Sequence, residues 1–291
     1  MSNYHKQLRK NRKKFFGKVF FLFLLPLFFL WLIIVQRHSL AAFISRPAKL
    51  EVNFLDVGQG DAALIKTPAG RTILIDGGPD NKVLWRLGEN LPFYRRRLDL
   101  VIFSHYHEDH VTGLIEILKR YRVKKIIYAD NKSGVTATAA ILIKEAQTKK
   151  IPIASINSQA TLSLGDNCAL VFLSPTALGV KIDPNNSLVV KLNCAGEKFL
   201  FVGDNSAVVE KALLTSGFAL KADVLKAAHH GSNSASSAAF LQAVNPSLLA
   251  ISVGADNKFG HPSPQTLERA AALDIDIKRT DQLGSVKIFS P

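Results

Sequence analysis

SerHisTyrHisGluAspHis, residues 104–110, decides how the rest of this 291-residue chain is read. It continues LeuAspLeuValIlePheSer (98–104), an apolar run with the composition of a buried strand. Past that strand His105 and His107 alternate, so on extended backbone both imidazoles point the same way. Asp109 and His110 follow at the turn into a segment (109–121) whose Val111, Leu114, Ile115, Ile117 and Leu118 have helical spacing. Three imidazoles and a carboxylate packed this closely can furnish ligands for two neighbouring metal ions. A lone histidine in such a loop is usually just solvated; this density is not expected of a bland surface loop.

Working outward, the remaining histidines fall in few places. His5 and His38 flank an N-terminal hydrophobic run, His229 and His230 sit together, and His261 stands in AsnLysPheGlyHisPro (257–262). Two further strand ends carry polar groups. LeuPheValGlyAspAsn (200–205) closes an apolar run with Asp204, which on its own reads as a helix N-cap. AspValLeuLysAlaAlaHisHisGlySer (223–232) closes another with the histidine pair, and Gly231 permits a sharp turn there.

Strand-like runs at 50–57, 62–67, 71–76, 98–104 and 123–128, with helical spacing at 109–121 and 137–149, fill the first half of the soluble part. The second half repeats the style, with strands at 168–173, 187–193, 198–202, before His229, at 248–252 and at 284–289. Helices are expected after Asp204, at 234–243 and at 264–273. Strands alternating with helices over about 240 residues fit one layered α/β domain.

The N-terminus differs. Residues 1–18 carry seven basic groups and no acid, half of the formal charge of +14. Val19–Val35 is uncharged, near the lower limit for spanning a bilayer. The expected organisation is a basic cytoplasmic tail (1–14), an uncleaved transmembrane signal-anchor (15–36), a linker (37–48) and an extracytoplasmic domain (49–291). The +7 left outside the tail suits an anionic ligand or surface. Cys168 and Cys194 lie in apolar, strand-like surroundings and are expected as buried thiols; a disulfide stays open if the domain is outside the cell.

HisTyrHisGluAspHis resembles the HxHxDH signature of the metallo-β-lactamase superfamily. LeuAspValGlyGlnGlyAsp (55–61), IleAspGlyGly (75–78), AsnAsnSerLeuVal (185–189), PheValGlyAsp (201–204), HisHisGlySer (229–232), AsnLysPheGlyHisPro (257–262) and ThrAspGlnLeuGly (280–284) resemble, in the same order, the hydrolase domain of ComEC-type competence proteins. The resemblance implies a four-layer αββα sandwich with ligands on loops at one sheet edge. It further implies His105 and His107 on one divalent ion, Asp109, His110 and His230 on a second, and Asp204 between them. Asp109, His229 and His261 would then serve the reaction, His229 at a substrate oxygen and His261 at the scissile group. His229, His230 and His261 are interchangeable at this level. Many superfamily members have a further ligating histidine between the first cluster and the bridging Asp; none lies between His110 and Asp204 here, so Asp183 or Asn186 is expected to substitute loosely.

Two divalent ions suit phosphodiester hydrolysis, since they stabilise charge on attacking and leaving oxygens. Zinc fits the imidazole-rich set, and manganese is its rival. The expected activity is a phosphodiesterase acting on DNA. A cell-wall or small-molecule phosphodiester, and a DNA-binding module without cleavage, are the alternatives.

Overall fold

A computed structural model describes residues 24–34, 49–129, 134–181 and 183–290. The chain divides into two compact units, Met1–Arg46 and Pro47–Pro291. In the first, residues 24–34 form helix α1, and its apolar side chains, Trp31 among them, are largely exposed. Among the described residues no helix is long and apolar enough to cross a membrane. Apart from 24–34, the expected tail (1–14), anchor (15–36) and the whole linker (37–48) lie outside the described residues.

The first half of the second unit runs β1 (Glu51–Phe54), β2 (Ala63–Lys66), β3 (Thr72–Ile75), α2 (Lys82–Asn90), β4 (Arg97–Leu98), β5 (Leu100–Phe103), α3 (Glu108–Arg120), β6 (Arg122–Val123), β7 (Ile126–Ala129), α4 (Ala137–Thr148) and β8 (Ile153–Ile156). The second half runs β9 (Ala160–Gly165), β10 (Cys168–Leu173), β11 (Val189–Cys194), β12 (Glu197–Phe201), α5 (Ala207–Thr215), β13 (Val224–Lys226), α6 (Ala238–Val244), β14 (Leu248–Ile251), α7 (Pro264–Ala271), β15 (Asp276–Arg279), α8 (Thr280–Leu283) and β16 (Val286–Phe289). One seven-stranded sheet has the order β16-β1-β2-β3-β5-β7-β8, the other β15-β14-β13-β12-β11-β10-β9.

Alternation along each strand builds the layers. Val52, Phe54, Ile65 and Ile73 of the first sheet meet Phe172, Leu192, Phe199 and Phe201 of the second in one apolar cluster, with the Phe54 and Phe201 rings 5.8 Å apart. Leu64, Leu74, Val101 and Phe103 face the other way, against Val83 and Leu87 of α2, Leu114 and Ile117 of α3 and Leu142 of α4. Leu200, Leu225 and Leu249 likewise pack on Val209, Leu213, Phe240 and Leu241 of α5 and α6. The result is helix, sheet, sheet, helix. With both faces covered, the central strands read as continuous apolar runs.

The elements expected from the sequence are present, and α2, β9 and β15 are added to them. Strands β9 and β15 are the two edges of the second sheet. Much of their length faces solvent, which removes the apolar pattern that marks a central strand. The cysteines correct the expectation of free thiols: Cys168 and Cys194 form a disulfide. Neighbouring β10 and β11 pair antiparallel with Ala169 opposite Asn193, so the two cysteines face each other within the inter-sheet core. Only the register brings them together, and register is not visible in the residues themselves.

Candidate metal centre

Strands β1, β3 and β5 share one direction in the first sheet, as do β12, β13 and β14 in the second. Their C-terminal ends deliver, in order, Asp61, Asp76, His105, Asp204, His230 and the His261 loop, and the polar groups collect where these ends meet. Helix α3 brings Asp109 and His110 in its first turn, with His107 as its N-cap. That turn is clamped: Gly77 N donates to His110 O at 2.7 Å, Gly113 N to Gly78 O at 3.0 Å and Asp61 N to Asp109 O at 3.2 Å. The clamp needs Gly113, since a Cβ there would lie 2.0 Å from Gly77 O.

Asp109, His110, Asp204 and His230 each offer one atom within 4.8 Å of all the others, and His105, His107 and Asp204 form a second such group. Asp204 belongs to both. His110 Nε2 is 3.4 Å from Asp204 Oδ1, His230 Nε2 is 3.2 Å from Asp109 Oδ2, and His105 Nε2 is 3.9 Å from Asp204 Oδ2. His229 and His230 both take left-handed φ (48° and 53°), a strained state for side chains of this kind that is typical of functional turns. His229 Nε2 lies 3.7 Å from Asp204 Oδ2. The His261 ring is 5.7 Å from that of His229.

The fit to metal rests on buried atoms that make no hydrogen bond. His105 Nε2, His110 Nε2 and Asp204 Oδ1 are buried without a hydrogen-bond partner, which buried polar groups ordinarily have. Their opposite sides are held firmly. His105 Nδ1 lies 3.0 Å from Ser104 Oγ and 3.2 Å from Ser187 Oγ. His110 Nδ1 meets Asp76 Oδ2 at 2.9 Å, and His230 Nδ1 is 3.0 Å from Ser252 O. Fixing one ring nitrogen while the other faces the ligand group is how histidine is prepared for an ion.

The electrostatics agree. Burial and the neighbouring His110 hold His105 well below the usual imidazole range, so it is neutral. Burial opposes protonation of His230, but Asp204 and Asp61 outweigh it and push the ring up to about 9. His110 is raised well above its ordinary value by Asp204 and Asp76 against the same desolvation. Burial favours the neutral form of Asp204, yet His110 and His230 hold its carboxyl well below the normal range. Without an ion, protons on two histidines neutralise the carboxylates. Burial lowers His229 and His261, which remain neutral at the mouth.

The site also contains groups given no role in the sequence reading. Asp61 pairs with buried Lys226 and lies 3.2 Å from His230 Nδ1. Asp76 accepts from Ser104 N at 2.7 Å and fixes His110. The signal was present: Asp61 ends one of the quoted motifs, Asp76 closes the strand-like run 71–76, and Lys226 is a lone charge in an apolar strand. The AspProAsnAsnSer stretch, where Asp183 or Asn186 was expected to ligate loosely, holds itself together by local hydrogen bonds. Asp183 Oδ1 accepts from Asn185, Asn186 Nδ2 donates to Lys181 O, and Asp183 is in neither ligand group. Ser187 reaches the ligands directly, its Oγ also accepting from Asp204 N at 2.9 Å, and Asn185 lines the cleft above them.

A cleft of about 640 Å³ opens above these groups, lined by His107, Asp109, Asn185, Asp204, His229 and Phe259.

Paired sheets with His/Asp groups collected at a shared edge are the metallo-β-lactamase arrangement, and this chain belongs to the metallo-beta-lactamase superfamily, whose family model matches residues 55–254. Within that superfamily of metal-dependent hydrolases it is similar to competence proteins. ComE operon protein 3 of Bacillus subtilis (strain 168) is 29% identical over 254 residues, covering 81% of this chain and 32% of that protein. Competence protein ComA of Neisseria gonorrhoeae is 29% identical over 260 residues, covering 85% and 34%. The chain thus spans about a third of the length of these curated relatives. Among solved structures, the metallo-beta-lactamase fold protein YhfI of Bacillus subtilis superposes with a TM-score of 0.58 at 15% identity, covering 83% of this chain and 100% of that one. Tm1679, described as a metal-dependent hydrolase of the beta-lactamase superfamily, gives 0.54 at 13% identity, covering 82% and 98%.

Proposed function

We propose that the protein is a membrane-anchored, extracytoplasmic two-metal phosphodiesterase that cleaves DNA. The observation that carries the reading is the convergence of His105 Nε2, His110 Nε2 and Asp204 Oδ1, buried without a hydrogen bond, with Asp204 shared between two ligand groups. His105, His107 and Asp204 would hold one ion; Asp109, His110, Asp204 and His230 would hold the other. When bound, such a pair acidifies water near neutral pH and stabilises charge on the attacking and leaving oxygens of a phosphodiester. The imidazole-rich set suits zinc, and the carboxylates of the second group keep manganese as the metal to test beside it.

The protein groups then do the positioning. His229 keeps a third of its side chain exposed toward the cleft, and burial keeps it neutral, so it can hydrogen-bond a phosphoryl oxygen. His261, also neutral, is set beside it to contact the scissile group. At the rim, Phe259 is 58% exposed and Lys258 Nζ lies 5.6 Å from its ring centroid. An aromatic face beside a cation suits a nucleobase and its phosphate, and this favours nucleic acid over a wall polymer. The extracytoplasmic assignment draws on the 15–36 hydrophobic run and on the disulfide, which belongs in an oxidising compartment.

The test uses residues 47–291, a unit with its own cores, purified without chelator and supplied with zinc or manganese. Substrates are labelled single- and double-stranded DNA and bis(p-nitrophenyl) phosphate. Metal-dependent DNA cleavage that disappears in an Asp109→Ala, His110→Ala variant is the expected result. Cleavage of the small ester with intact DNA would move the substrate to a wall or small-molecule phosphodiester. Metal-independent DNA binding without any cleavage would refute the hydrolase reading.

A further inference from the structure

A second charged surface lies at the opposite end of the first sheet from the ligands. The pairs Glu51–Lys66, Lys66–Thr72, Ile73–Leu100, Val101–Ile126 and Ile126–Ile153 run in one row across that end. Here residues 119–125 read LysArgTyrArgValLysLys, five basic groups and no acid. Arg120, Arg122, Lys124, Lys149 and Lys150 line an open groove of about 570 Å³. Arg95, Arg96 and Arg97 join it, since β4 and β6 pair Arg97 with Arg122. Three carboxylates face this set and each is already engaged: Asp99 with Arg71, Arg97 and Lys124, Glu116 with Lys119 and Arg120, and Glu145 with Lys149. The excess is strongly positive.

Two further observations point to what this face meets. Phe93 is 88% exposed, directly before the three arginines, in a loop tied to this end by Arg95 Nη2 donating to Gly70 O at 2.5 Å. An exposed aromatic among arginines suits a lipid interface. The chain also enters the domain at this end, through Leu50 into β1, about 19 Å across the strands from Lys125. The ligands lie a helix length away, about 20 Å along the thirteen residues of α3. A nucleic acid held at this face would be remote from the groups that cut it.

We infer that this basic face, with Phe93, binds anionic lipid headgroups and seats the hydrolase on the membrane with its metal ligands turned away. The inference goes beyond the proposed activity and stands apart from the anchor reading of residues 15–36. It is tested on the 47–291 unit, which lacks that anchor, by sedimentation with vesicles of phosphatidylcholine alone or with about one-third phosphatidylglycerol, in about 0.1 M salt. Binding to the anionic vesicles alone is expected. Arg96→Gln, Arg122→Gln and Lys150→Gln, all exposed residues, should together lower it on the order of 100-fold, about fivefold for each cation lost. Phe93→Ser should weaken it independently, and both variants should keep wild-type metal content. Equal binding to both vesicles, no binding, or binding to a DNA duplex that these substitutions abolish while vesicle binding is absent would each overturn the inference. The anchor is read separately, by alkaline carbonate extraction of membranes holding the full chain. A full chain that washes off, with vesicle binding intact in the fragment, would refute the anchor and leave the lipid face standing.

Discussion

Loading the second ligand group with metal should expel about two protons. His230, pushed up to about 9, is almost fully protonated at about pH 7.5, and His110 is held well above its ordinary value by the same carboxylates. A metal binds only neutral imidazole, so both protons leave as it enters. His105, neutral through burial, releases none. Apparent affinity should therefore rise with pH between about pH 7 and 8.5, roughly tenfold per unit from the His230 proton and more steeply with that of His110. The same groups set the stability of the metal-free protein. The folded value for His230 lies above the unfolded 6.5, so its stabilisation is complete below that pH and is lost as pH rises through about 9. The loss is on the order of 3 kcal/mol. Titration calorimetry of the 47–291 unit with zinc, in buffers of different ionisation enthalpy, counts the protons. Melting temperatures of metal-free and loaded protein at about pH 6.5 and 9.5 check the second consequence, with the metal-free form alone losing stability. Proton release near zero, or a metal-free protein as stable at the higher pH, would refute this account of the charge balance.

Three substitutions probe its other parts. Ser187→Ala removes one of the two hydroxyls on His105 Nδ1 and the partner of Asp204 N, so metal affinity should fall about 10-fold, more in the His105 group, which loses both supports, than in the second, which feels the change only through Asp204, as read by competition with a chromogenic chelator. Gly113→Ala sets a Cβ 2.0 Å from Gly77 O and 2.6 Å from Asp80 O, neither able to swing aside, and should cost about 1–3 kcal/mol in urea unfolding; an unchanged midpoint would mean that α3 is not clamped. Cys168→Ser with Cys194→Ser removes a link across 26 residues and should cost about 3–4 kcal/mol, the same loss that a reductant imposes on the wild type.

The ligand cluster was legible because its members crowd into a few short motifs, each closing a strand. HisTyrHisGluAspHis supplies four groups from one turn, and Asp204 and His230 follow apolar runs in the same way. The layers were legible because the central strands are apolar on both faces. What escaped depends on contacts distant in sequence. Lys226 and Asp61 are far apart in the chain and meet only when β13 lies across from the β1–β2 loop. Ser187 reaches His105 across the two sheets, where Asp183 and Asn186 were expected to help. The disulfide depends on strand register, and β9 and β15 as partly solvated edges lack the period that reveals a strand.

The central claim is that Asp204 is shared by two ions. Anomalous scattering from crystals of the 47–291 unit, grown with excess zinc, tests it directly. The account predicts two ions per chain, one against His105 and His107, the other against Asp109, His110 and His230, with Asp204 reaching both. A single ion, or none, under saturating metal would contradict it.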